Sequence, residues 1–68
     1  MNDEVFNLEL RKFLKKFGVT AQREIERAVG AALQDGRLKG SEKLRARAVL
    51  TVDGVSVDIR VEDEIALA

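Results

Sequence analysis

Apolar residues in the first quarter of the chain recur every three or four positions. Phe6, Leu10, Phe13, Leu14 and Phe17 therefore share one face of a helix, because 3.6 residues per turn stacks neighbours at i, i+3 and i+4. Asn2 is placed to cap this helix, Asp3 and Glu4 suit its positive end, and Lys12, Lys15 and Lys16 suit its negative end. Gly18 reads as its stop, since glycine takes the left-handed C-cap conformation without penalty. A first helix over residues 3–17 is predicted, with Leu8 and Val5 on the side away from the stripe. Thr20 then caps a second helix over residues 21–35, whose stripe is Ala21, Ile25, Ala28, Val29, Ala32 and Leu33 and whose natural stop is Gly36. With about three residues between them, the two helices are expected side by side.

After RLKGSEK the period changes to two. Leu44, Ala46, Ala48, Leu50 and Val52 share one face of a strand over residues 43–52, and Val55, Val57, Ile59 and Val61 share one face of a strand over residues 55–62. The Asp53-Gly54 dipeptide between them predicts a two-residue type I′ hairpin. That turn pairs Val52 with Val55, Leu50 with Val57, Ala48 with Ile59 and Ala46 with Val61. On the opposite face it sets Thr51 by Ser56, Val49 by Asp58, Arg47 by Arg60 and Arg45 by Glu62, a wet face with one like-charge pair. Asp63 falls on the apolar side, so the sheet is expected to fray there. The fold class is α+β in the order ααββ: one domain over residues 1–68, with two N-terminal helices packed on a C-terminal antiparallel hairpin.

A chain of 68 residues hides only about 60% of the surface its unfolded form exposes. A core of that size contributes roughly 3 to 5 kcal/mol unless a disulfide, a metal or a partner adds to it. The sequence has no Cys and no His, which leaves self-association as the expected addition. A lone hairpin has two unpaired edges, so a homodimer joining two hairpins into a four-stranded sheet is predicted. Charge selects the edge. Antiparallel self-pairing of the second strand about Ile59 sets Asp58 against Arg60 of the other copy and Val57 against Val61, whereas the first strand would oppose Arg45 and Arg47. Exchange of whole hairpins about the loop from Gly36 to Glu42 is the other route to a dimer.

Net charge is zero, but its distribution is uneven: residues 1–10 carry −3, residues 11–47 carry +7 and residues 48–68 carry −4. The basic middle nominates Arg11, Lys12, Lys15, Lys16, Arg45 and Arg47 as anion-binding candidates, against the plain reading of solvated polar faces. Enzymatic chemistry is poorly supported, because the commonest general base and the most readily activated thiol nucleophile are both missing. GAALQDGR lacks the spacing and the Lys-Ser/Thr pair of a phosphate loop, and Glu62, Asp63 and Glu64 lack the alternation and central glycine of a calcium loop. No catalytic residue, cofactor or metal site is assigned. The acidic start and the lack of any long apolar run predict a cytoplasmic chain without a membrane segment.

FGVTAQREIERAV, Phe17 to Val29, followed by a hairpin resembles a helix-turn-helix with a wing. The resemblance is short. Leu14 stands where that motif has a small residue, Glu24 where it has an aliphatic one, and Arg23 and Arg27 are flanked by Glu24, Glu26 and Asp35, acids that would lie near phosphates. The fuller pattern of RKFLKKFGVTAQREIE, the GRLKG turn and LTVDGV resembles a family of very small uncharacterised bacterial proteins, mainly proteobacterial, classed as a domain of unknown function. That resemblance spans nearly the whole chain. It implies a stand-alone cytoplasmic protein with no activity, cofactor or functional residues to carry over. The function expected is a small self-associating module that meets a protein partner of unknown identity. The rival is a winged-helix-like nucleic-acid binder.

Overall fold

The computed structural model describes all 68 residues, in the order helix, strand, strand, and the class is α+β. Two compact units divide the chain, Met1–Arg37 and Leu38–Ala68.

The first unit holds one helix, α1, Asp3–Gln34, where two were expected. Its start follows the sequence: the Asn2 side chain accepts from the backbone N–H groups of Glu4 and Val5, both at 3.1 Å, with Asp3 and Glu4 in the first turn. Its end does too. Asp35 donates its backbone N–H to the Ala31 carbonyl at 3.0 Å, and Gly36, with φ of 84°, takes the left-handed conformation that closes the helix.

The correction falls at Gly18, which is helical and has no positive φ. A glycine inside a helix costs about 1 kcal/mol relative to alanine, too little to break a helix whose stripe passes through it in phase. Phe17 to Ala21 is one four-residue step, and no proline or change of period obliges the chain to turn. Thr20, expected as a cap, is an interior residue.

The second unit is an antiparallel pair, β1 Lys43–Val52 and β2 Val57–Ala66. β1 has the predicted limits. β2 starts two residues late and continues four residues past its predicted end, because the turn spans Asp53–Ser56 and not Asp53-Gly54 alone. A type I′ turn needs positive φ at both central residues, and here only Gly54 has it, at 89°.

The register therefore moves by two: Val52 pairs with Val57, Leu50 with Ile59, Ala48 with Val61 and Leu44 with Ile65. A shift of two leaves each side chain on its predicted face, since the side-chain period is two. It also removes the like-charge pair. Arg47 faces Glu62 and Arg45 faces Glu64, where the shorter turn would have set Arg47 against Arg60. Asp63 stands opposite Ala46 without ending the strand, and its carboxylate accepts from the Glu64 N–H at 2.8 Å. Beyond the strands the Leu67 N–H donates to the Glu42 carbonyl at 3.0 Å.

Burial is slight throughout. Ala32 is the one buried residue, and Leu44, Ala46, Leu50 and Val57 on the hairpin are half-buried. Phe6, Phe13 and Phe17 on α1, and Ile59 and Val61 on β2, are each about half exposed.

Candidate functional site

Three groups of residues bear on function: the bases of α1, the charged face of the hairpin, and the free edge of β2.

Arg11, Lys12, Lys15 and Lys16 fall within six consecutive residues of α1, on the polar side away from the Phe stripe. Only Lys12 is in an ion pair, with Glu9 at 3.6 Å. Shallow open hollows lie among these side chains, one between Glu9, Lys12, Phe13, Lys16 and Val19, another between Asp3, Asn7, Leu8 and Arg11. Each is a gap on the surface of one helix, far more open than the concave sites that hold small molecules.

Arg45 and Arg47 lie on the hairpin and are already engaged. Both reach Glu62, Arg45 diagonally at 2.7 Å and Arg47 from directly opposite at 3.6 Å. All three are well exposed, so the cluster adds little stability, and one carboxylate shared by two arginines leaves it a net charge of +1.

Val57, Asp58, Ile59, Arg60 and Val61, the nominated edge, lie on β2, and the sheet has only two strands, so β2 has one unpaired side. Asp58 and Arg60 pair along the strand at 3.5 Å. These are the two groups that an antiparallel second copy would exchange.

The structure also holds an arrangement that the sequence reading passed over. The Glu42 carboxylate accepts from three successive backbone N–H groups, Lys39 at 2.9 Å, Gly40 at 2.9 Å and Ser41 at 3.2 Å. Gly40, with φ of 103°, lets the loop curl around that carboxylate. Such consecutive donors form an anion cradle, and here the anion is the chain's own side chain. The N–H groups of Lys39 and then Gly40 lower the Glu42 pKa below its ordinary value. The available signal was the acid two residues after the glycine in KGSE. Asp35 is a smaller case at the helix end: the Arg37 side chain, at 2.8 Å, and then the Arg37 backbone N–H lower its pKa.

No group of three or more Asp or Glu side chains is placed to hold a metal ion. No helix is long and apolar enough to cross a membrane. The helix-turn-helix resemblance loses its turn, because Gly18, Val19 and Thr20 are helical. Without that turn there is no second helix to enter a groove.

No curated protein and no solved structure matches this sequence. The family model described as "Family of unknown function (DUF6494)" matches residues 1–68, and the chain belongs to that family.

Proposed function

We propose that this chain is a small self-associating protein-interaction module. The observation that supports this most is the state of its apolar faces: one unit is a single helix and the other a two-stranded hairpin, so neither has a second layer of its own. A helix stripe or a sheet face is stable when buried against another element. A second copy supplies such elements at no cost in new sequence. The free β2 edge offers one route, with Asp58 meeting Arg60 of the other chain on either side of Ile59. The lack of His, Cys and long apolar runs supports a non-catalytic role in a reducing, cytoplasmic setting.

Sedimentation equilibrium over a wide protein range tests the reading. A mass of twice the 7.6 kDa chain is expected. A mass of one chain at every concentration would remove the proposal.

A further inference from the structure

Eight apolar positions of α1, Phe6, Leu10, Phe13, Phe17, Ala21, Ile25, Ala28 and Ala32, are symmetric about Val19, and Leu14, Val29 and Leu33 flank them outside that symmetry. Two residues either way from Val19 lie Phe17 and Ala21; six away, Phe13 and Ile25; nine away, Leu10 and Ala28; thirteen away, Phe6 and Ala32. The symmetry is in spacing, while size is opposed: the N-terminal half carries the bulk and the C-terminal half is mostly alanine. We infer that α1 pairs with α1 of a second copy, antiparallel and centred at Val19. This rests on the self-association reading and adds to it a surface, a partner and a register.

Three observations select this arrangement. The first is shape. Antiparallel pairing about Val19 sets Phe17 against Ala21 and Leu10 against Ala28, bulk against alanine, with Phe13 against Ile25 as the one level where two large side chains meet. Phe6 falls at the rim, beside the already buried Ala32. Parallel pairing would set phenylalanines against phenylalanines at one end and alanines against alanines at the other, splaying the pair.

The second is charge. In parallel pairing the segment with Arg11, Lys12, Lys15 and Lys16 would lie level with its own copy, four bases beside four, on the sides of the helices away from the stripe. Centred at Val19 and antiparallel, it lies alongside residues 22–27, where Glu24 and Glu26 balance Arg23 and Arg27, so the four bases meet a segment of no net charge. Glu9 and Arg27 project from the same flank of α1, so each comes within about half a turn of the other's counterpart, twice by symmetry.

The third is area. Phe6, Phe13 and Phe17 are 53%, 51% and 48% exposed, and Leu10, Leu14 and Ile25 slightly less. Covering these side chains removes roughly 600 Å² per chain and about 1,200 Å² in all, the lower end of specific interfaces.

Because the chain has no cysteine, single spin labels can be placed at Leu8→Cys or Val19→Cys, both exposed and both on the side away from the stripe. Pulsed dipolar spectroscopy on the full chain reads the distance between the two labels of a dimer. The axial offset is nil at Val19 and about 33 Å at Leu8, at 1.5 Å per residue. Roughly 20 Å is therefore expected at Val19 and roughly 40 Å at Leu8, after adding the width of the helix pair. Equal distances at the two sites, or a longer one at Val19, would overturn the register while leaving self-association standing. Absence of dipolar coupling, with a one-chain mass, would remove both. A size exchange supplies the second arm: Leu10→Ala should weaken the dimer at least tenfold, and Leu10→Ala with Ala28→Leu should recover most of that loss. If the double variant is no tighter than Leu10→Ala alone, Leu10 and Ala28 are not partners.

Discussion

The helical unit and the hairpin unit put glycine to opposite uses. Gly18 lies in the middle of α1 with ordinary helical geometry, whereas Gly54 holds the hairpin turn at a φ of 89°. Apart from chain neighbours and, at Gly18, the helix's own backbone, neither has an atom within 4 Å of where a Cβ would stand. Whatever a side chain does at either site is therefore set by the backbone alone. A glycine between two apolar stripes marks a break only if the geometry around it needs one; at Gly18 none is needed, and the stripe continues.

The largest predicted effect breaks the helical side of this comparison. Gly18→Pro removes a backbone hydrogen bond and clashes with the preceding turn, and it should destabilise α1 by about 3 kcal/mol. Far-UV circular dichroism should show a loss of helix much greater than one residue's share. Two helices joined by a turn at Gly18 would instead tolerate proline there with little change.

Alanine at the two glycines sharpens the contrast, because the signs differ. Gly54→Ala forces a Cβ into the left-handed region and should cost about 1 to 2 kcal/mol. Gly18→Ala should stabilise by roughly 0.5 to 1 kcal/mol, the ordinary gain inside a helix. Thermal or urea unfolding of the two variants reads both values. Destabilisation by Gly18→Ala would place that residue at a helix end after all.

A smaller effect tests the register of the hairpin. Glu62→Lys sets a cation among Arg45 and Arg47 and should cost up to about 1 kcal/mol, since the group is well exposed. Arg47→Glu in the same chain should restore part of it, because the two residues are directly opposite. With the shorter turn Arg47 would face Arg60, and Arg47→Glu would gain stability without any change at Glu62.

The smallest effect is on pH. The carboxyl of Glu42 has a folded pKa below its ordinary value, held there by the N–H groups of Lys39 and Gly40. Its contribution is therefore present above the unfolded pKa and is lost as pH falls through the lowered folded pKa. Glu42→Gln should flatten that part of the acid limb of the stability curve. An unchanged acid limb would show that the loop does not hold the carboxylate in solution.

How much of this was legible in the sequence follows the same division. The ends of α1 were readable because their signals are local: Asn2 caps two N–H groups, and Gly36 closes the last turn. The middle was not, because a glycine followed by Val19 and Thr20 is equally consistent with a stop and a new cap or with an interior residue. The faces and the first limits of the hairpin were readable from alternation, and β1 runs over the predicted residues. Its turn was not. Asp53-Gly54 is a strong local signal, yet pairs far from it, Arg47 with Glu62 and Leu44 with Ile65 among them, favour the longer loop. The clamp of Glu42 on its own loop was not readable either, since it depends on three N–H groups turning toward one carboxylate.

Both units leave apolar side chains exposed, and the proposed cover is a second copy of the chain. The most direct test is the midpoint of thermal unfolding, followed by circular dichroism over a hundredfold range of protein concentration. A dimer whose association contributes to folding gains stability by mass action, so the midpoint should rise by several degrees across that range. A single cooperative transition at a fixed midpoint would contradict the account, because it would mean that one chain covers its own apolar faces without a partner.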